Sequence, residues 1–465
     1  MATASAEQWA TWRARAERVS RRCQRLLGLR SRKVRVYMDG CFDMMHYGHA
    51  NALRQAAALG DELVIGLVPD SEIKIHKGPP VFNDGERRMA VEAVKWVDEV
   101  ITGVPYDVSD EFMAHLFKKH RIDYIVHGDD PCYTADGKDA YASAKRRGKY
   151  KEIKRTEGVS TTDIVGRMLM CTRRTSSLDT RAREEQEPSL SPLQKKFVEE
   201  EDEEKQREAT RVSNFMPTSR RIVQFSSGKK IKAGSRVVYV DGAFDVFHPG
   251  HIVLLRDAKA RGDFLLVGVW PDEVVAAERG AHFPILNVHE RALSVLACRY
   301  VDEVVIGAPR HVTRDLISTF NIGLVLCDDL DEVSASSDRE AYAVPREMGI
   351  LVERGSPSGA VAEGGEGGEG NSRGSEDGAS NSADSSDSEG GSPSAGAAGA
   401  AVAVKQALGV GLEATEARMR PFTLSKLISR IVANRRAFEV KFSKKSKKEA
   451  DYVKDKSNKT FVQEV

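Results

Sequence analysis

The 465-residue sequence has no marked excess of either charge, few cysteines and no long apolar run, and each absence removes a class of function. Lysine plus arginine (70) nearly cancels aspartate plus glutamate (69), leaving a formal charge of +1. A chain built mainly to coat nucleic acid or an acidic membrane carries a larger basic excess, so no nucleic-acid partner is expected. The six cysteines, Cys23, Cys41, Cys132, Cys171, Cys298 and Cys327, form no CxxC pair and no Cys/His spacing that would surround zinc. No carboxylate cluster marks a protein-built metal site either. A reduced, cytoplasmic chain without a metal of its own is the expectation. No eighteen consecutive apolar residues occur, so no spanning helix is expected.

What is present points to a folded, multidomain protein. Hydrophobic residues (41%) suffice for cores, and charged residues (30%) cover a surface. At roughly 100–200 residues per domain, the length allows two to four units. In residues 1–32, Trp9, Trp12, Ala16, Val19, Cys23 and Leu26 alternate spacings of three and four with arginines on the other faces, which predicts an amphipathic helix. As an address it would be mitochondrial or a membrane-surface anchor. Glu7 and Glu17 argue against the transit reading, and a surface helix is favoured. Residues 171–214 form a charged linker with the acidic block Glu199–Glu204, and residues 356–420 an acidic Gly/Ser-rich insertion with serines beside acids.

The remainder is an internal repeat. YMDGCFDMMHYGHANALRQA (Tyr37–Ala56) matches YVDGAFDVFHPGHIVLLRDA (Tyr239–Ala258) at an offset of about 200 residues, and Glu86–Pro105 matches Glu290–Pro309. Two copies of one domain follow, at 33–170 and 215–355. The first reads as strand 34–38, helix 49–59, strand 62–68, helix 84–95, strand 99–102, helix 110–119 and strand 122–126. That alternation implies an α/β fold of two tandem Rossmann-like domains with parallel sheets. Ligands in such sheets bind beyond the carboxyl ends of the strands. Residues 421–465 read as a C-terminal helix of the second domain and a basic tail, packed on that domain in preference to a peripheral membrane contact.

The first such loop holds His46-Tyr47-Gly48-His49. Gly40 permits a tight turn after the strand, and the two imidazoles face one side of a helix N-terminus, beside backbone N–H groups. This suits a phosphate gaining negative charge. His248-Pro249-Gly250-His251 repeats the pattern on the same strand-loop-helix transition. Ser160 and Asp163 read as a capping box that opens another helix N-terminus.

On these residues the chain resembles the HxGH nucleotidyltransferase superfamily. RTEGVSTTDIVGR (Arg155–Arg167) is similar to the second signature of its cytidylyltransferase branch. The tandem arrangement, the charged linker and FMPTSRRIVQFSSG (Phe215–Gly228) resemble the ethanolamine-phosphate cytidylyltransferases.

The resemblance implies a reaction of CTP with phosphoethanolamine, with Mg2+ accompanying CTP. It implies catalytic roles for His46, His49, Lys77 and Arg155. Lys77, in the loop His76–Pro80, would bridge the phosphates of both substrates, and Arg155, Thr156 and Ser160 would grip pyrophosphate. Gly40, Cys41, Phe42, Asp43, His127, Gly128, Asp129, Gly158 and Thr161 complete the implied nucleotide site. Asp129, Asp130, Tyr106 and Trp96 are the groups at hand for the substrate amine, Trp96 being equally suited to a core. A candidate second nucleotide site comprises Ala243, Phe244, His248, His251 and Arg279. There Arg279 replaces Lys77, Cys327-Asp328 replaces His127-Gly128, and the insertion splits the second signature, resuming at Thr423–Ile431. The first copy is therefore expected to catalyse and the second to be structural or regulatory. Phosphocholine or glycerol-3-phosphate as acceptor, a nucleotide-sensing scaffold, and homodimerisation stay open.

Overall fold

A computed structural model describes residues 32–129, 132, 139–156, 158–179, 221–328, 339–354 and 422–441. The N-terminal helix, most of the linker and the acidic insertion lie outside them. In the first half, β1 (Arg35–Gly40), β2 (Glu62–Leu67), β3 (Glu99–Thr102), β4 (Tyr124–Gly128) and β5 (Tyr150–Ile153) form a parallel sheet in the order β3-β2-β1-β4-β5. The second half repeats it with β6 (Val237–Gly242), β7 (Phe264–Val269), β8 (Glu303–Ile306), β9 (Ile322–Cys327) and β10 (Leu351–Glu353), in the order β10-β9-β6-β7-β8. The α/β reading of two Rossmann-like sheets holds. The central strands β1, β2, β6 and β7 are apolar runs because helices cover both faces.

The crossover helices begin where local chemistry allows. α1 (Tyr47–Ala58) follows His46, whose ring accepts from the Gly48 and His49 N–H groups. α2 (Asp70–Lys77) runs into Gly78, whose φ of 80° suits glycine and ends the helix. Lys77 therefore sits on a helix end, not in the loop expected for it. α3 (Asp84–Glu92) opens with a capping box between Asn83 and Glu86. It stops short of the expected 95 because the chain there pairs with the other half. Lys95 donates its N–H to Ala297, Arg299 donates to Ala93, and Val94 and Cys298 bridge antiparallel.

That pairing is self-reciprocal, since Ala93–Lys95 and Ala297–Arg299 are equivalent positions of the repeat. The helices obey the same symmetry: α1 packs against α9 (Val288–Ala297), and α3 against α7 (Pro249–Lys259). One apolar cluster runs through both halves, including Met45, Ala90 and Val94 with Phe247, Val295 and Cys298. The chain folds as a dimer of its own halves, with the isologous geometry that a two-fold axis imposes.

The last helices cross this interface. α6 (Thr161–Asp179), which extends past the linker boundary expected at 170, sends Arg167 to Glu290 (2.9 Å) in the second half. The C-terminal helix α12 (Leu424–Ala433) sends Arg430 to Glu86 in the first. The C-terminal helix was expected on the second domain, and it packs on both halves. It starts on the second, with Phe422 against His248, and then packs against α6. Among the described residues, no helix is long and apolar enough to cross a membrane.

Candidate active site

The first cleft opens beyond the carboxyl ends of β1 and β4, where the strand order reverses. After β1 the chain turns through Phe42 and Met44 in the left-handed region, φ 46° and 50°, and Phe244 and Val246 repeat this at 50° and 46°. Backbone of this kind costs roughly 1–3 kcal/mol per residue, so the surrounding packing must hold it. A buried arginine contributes. Arg87, fully enclosed, donates to the carbonyls of Cys41 and Val68, each at 2.8 Å, and pairs with Asp70. It ties the loop after β1 to the loop after β2, and Arg291 does the same through Ala243 and Trp270. A desolvated guanidinium is tolerable only with such partners.

His46 and His49 stack at 3.9 Å between ring centroids. Because Nδ1 of His46 accepts the Gly48 N–H at 3.1 Å, the neutral tautomer of this ring carries its proton on Nε2. Gly48 is required by proximity: a Cβ there would lie 2.7 Å from Val159 and 2.9 Å from the His46 ring. Val159 belongs to the second signature, so this glycine lets the two signatures touch.

Lys77 places Nζ 3.8 Å from the Cys41 sulfur and 5.3 Å from the Tyr106 ring, which itself stacks on His76 at 4.2 Å. Burial works against the ammonium charge, but Cys41, Tyr106 and Cys132 favour it more, and the net direction is upward. Lys77 is a permanent cation. Asp43 does not face this space. Its carboxylate accepts the N–H groups of Val81 (2.9 Å) and Phe82 (2.8 Å), pinning the loop beyond Lys77, as Asp245 pins Ile285 and Leu286.

The second signature lines the other wall. Asp129 accepts the Arg155 N–H at 3.0 Å, and Thr156 accepts from Asn51 at 2.9 Å. Gly158 turns with φ 79°. Ser160 accepts the Asp163 N–H and donates to its carboxylate at 2.7 Å, and Thr161 donates to the Asp43 carbonyl at 3.0 Å. His127 lies at the end of β4, its ring 4.9 Å from that of Tyr141. The Tyr141 hydroxyl donates to Asp39 at 3.2 Å. Burial raises the Asp39 carboxyl, while His127, Tyr141 and Lys77 oppose the rise.

Of the groups considered for the amine, Trp96 is corrected. It packs edge-on against Phe225 at 5.1 Å, in the apolar layers shared by the halves, because its strand-entry position faces inward. Asp130 lies outside the described residues. Asp39, Tyr141, Arg87 and Asn51 went unread in the sequence. The first three have repeat counterparts in Asp241, Tyr342 and Arg291, and extending the self-comparison to every polar match would have found them. Among the described residues, no three His, Cys, Asp or Glu side chains gather as a metal requires.

The second cleft has the same frame with different contents. His248 and His251 are nearly inaccessible and stack at 3.8 Å. Burial, aided by Arg279, drives His251 down to about 3, so its ring is neutral, with Nδ1 accepting the His248 N–H. At the position of Tyr106 stands Arg310, 4.7 Å above Trp270 and paired with Glu278 at 3.1 Å. At the position of Gly128, Asp328 pairs with Arg354.

A Cytidylyltransferase-like family model matches residues 37–167 and 239–341. The chain is 58% identical to the ethanolamine-phosphate cytidylyltransferase of Arabidopsis thaliana, over 71% of this chain and 78% of that one. It is 50% identical to the enzyme of that name from Dictyostelium discoideum, over 69% and 86%. The choline-phosphate cytidylyltransferase A of Rattus norvegicus is 41% identical over only 30% of this chain and 37% of its own length. The repeated cleft and these matches agree: the chain belongs to the cytidylyltransferase-like family, in its ethanolamine-phosphate cytidylyltransferase branch.

Proposed function

We propose that the first half transfers the cytidylyl group of CTP to phosphoethanolamine. A phosphate oxygen of the acceptor attacks the α-phosphorus in line, the bond to the β-phosphate breaks, and CDP-ethanolamine and pyrophosphate result. No covalent enzyme intermediate is needed, so the protein's work is to align two anions and neutralise the charge spreading over the reacting phosphorus. The observation that carries the reading is the meeting of three anion-binding elements in one cleft. These are the His46–His49 stack on a helix N-terminus, the Lys77 cation beside Tyr106, and the Ser160-capped helix touching Gly48 through Val159. His46 and His49 would hold the triphosphate and Lys77 would bridge the phosphates of the two substrates. Arg155, Thr156 and Ser160 would hold pyrophosphate. Tyr106, stacked on His76 with Lys77 over the same ring, would stand near the acceptor end. Mg2+ would travel on the triphosphate and supply further charge neutralisation.

The second half is proposed to be structural. Both its histidines are enclosed, the ring of His251 is neutral, and its own ion pairs occupy the positions equivalent to Tyr106 and Gly128. Pyrophosphate release measured with CTP, Mg2+ and either phosphoethanolamine or phosphocholine tests the reading. Phosphoethanolamine is expected to be favoured at least tenfold in kcat/KM. Turnover with neither acceptor would instead support a nucleotide-binding scaffold.

A further inference from the structure

The chain's last described residues end at the rim of the first cleft, although they follow the second half in sequence. After α12 a helical stretch, 435–441, carries the backbone onward, anchored by Phe438, which is buried. Arg430 has already fastened the segment, donating to both carboxylate oxygens of Glu86 at 2.6 and 2.9 Å and to the Val81 carbonyl at 2.9 Å. Lys441 then donates to the Pro79 carbonyl at 2.8 Å and lies 3.8 Å from the Asp43 carboxylate. Its methylenes pass 3.7–3.9 Å from where a Cβ on Gly78 would stand.

The contacts at Gly78, Pro79 and Val81 fall on the loop that follows Lys77, and the others reach Glu86 in the first turn of α3 and Asp43, which itself pins that loop. Asp43 fixes that loop at Val81 and Phe82, beyond the prolines. Gly78, with φ 80°, is the hinge at its other end, and the residue before the hinge is Lys77. Without a tie at Pro79, a glycine next to a helix end leaves the preceding side chain free to swing. Lys441 supplies the tie. Burial lowers its ammonium below the usual lysine range, Lys77 adds to that direction, and Asp43 and Cys41 oppose it, so the two ammonium groups share one electrostatic neighbourhood.

We propose that Lys441 is a positioning residue for the first cleft, holding Pro79 and the Gly78 hinge so that Lys77 meets the substrate phosphates in a fixed place. The proposal rests on the role given to Lys77 above. It also gives the crossing of the C-terminal segment a use, since the second half then completes the first cleft. The reciprocal crossing, Arg167 to Glu290, fastens the opposite direction.

A double-mutant cycle tests it. Single-turnover rates are measured in the full chain for wild type, Lys441→Met, Lys77→Ala and the double variant, with Val432→Ser, exposed on the same segment, as a control. If Lys441 acts through Lys77, Lys441→Met slows wild type about tenfold, because misplacing a catalytic group by an ångström costs up to about a hundredfold. It then changes the Lys77→Ala protein less than about twofold, since the group it positions is gone. An equal loss in both backgrounds would show an independent or merely structural role and overturn the proposal, as would no loss in wild type. Full turnover by Lys77→Ala alone would remove the assignment beneath the proposal, and the proposal with it.

Discussion

His46 does two things that substitution can separate. Its Nδ1 accepts the N–H groups of Gly48 and His49, which makes it the N-cap of α1, and its Nε2 proton is the donor assigned to the triphosphate. His46→Ala removes both. Loss of a cap costs about 0.5–2 kcal/mol, and in a unit of 150–250 residues each kcal/mol lowers the thermal midpoint by about 2–4 °C. Loss of a donor to the developing charge costs about 10²–10³ in rate. His46→Asn restores a good capping residue but not the reach of Nε2. It is expected to keep the wild-type midpoint within about 2 °C while losing the same 10²–10³ in pyrophosphate release. A rate loss below about tenfold in either variant is too small for such a donor and would refute the assignment. The second half supplies the contrast. His248 is enclosed, so His248→Ala should lower the midpoint yet leave turnover of the folded protein within about threefold, since no reacting group is lost. Equal rate losses for His46→Ala and His248→Ala would refute the asymmetry of the halves.

Other consequences follow from particular contacts. Glu86 is buried beneath Arg430 and keeps only the Asn83 N–H without it, so Arg430→Met should cost about 1–3 kcal/mol; urea unfolding checks this, and a change below about 0.5 kcal/mol would show that the pair contributes no more than an exposed one. Gly48→Ala brings a methyl to 2.7 Å from Val159 and should slow turnover at least tenfold by displacing His46, and retained activity would show that the signatures need not touch. His251, driven down to about 3, binds its proton only when the chain unfolds. Its contribution is therefore present above the unfolded value near 6.5 and lost as pH falls from there toward 3. Asp245, pushed up to about 6, acts in the opposite sense, so the test is a difference. The stability gap between wild type and His251→Gln should be constant above about pH 7 and shift against wild type below it, by up to about 1.4 kcal/mol per pH unit. A gap independent of pH would show that the His251 ring is not held neutral.

The repeat, the sheet class and the histidine loop were legible because each is local or periodic. Tyr37–Gly48 has its strand, turn and helix start within one short window, and the second copy repeats them. Contacts between distant segments were not. Trp96 has the composition of an ammonium site and the position of an interface residue, and only Phe225, far along the chain, decides between them. Lys77 was read as a loop residue because the helix before it, DSEIKIHK, has just one buried position, Ile73, and gives no periodic signal. The end of α3 was overdrawn because residues 93–95 have helical composition and are claimed instead by their counterparts in the other half. β5, with the polar sequence YKEI at a sheet edge, offers neither alternation nor a buried run.

The differences between the halves also form a connected set. In the first cleft His76 stacks on Tyr106 and Lys77 lies over the same ring; in the second the equivalent of His76 is Glu278 and that of Tyr106 is Arg310, and these two pair. Val68 becomes Trp270, over which that guanidinium lies. Gly128 becomes Asp328, and Ile153 becomes Arg354, again a pair. Each charged substitution alone would bury an uncompensated charge and cost several kcal/mol, so neither member of a pair is tolerable without the other. Together they fill an anion-binding cleft with internal cations and carboxylates. These pairs balance one another, and Arg279 keeps a cation at the position of Lys77, so what differs is the surroundings of that cation: His76 and Tyr106 in the first cleft, the Arg310–Glu278 pair in the second.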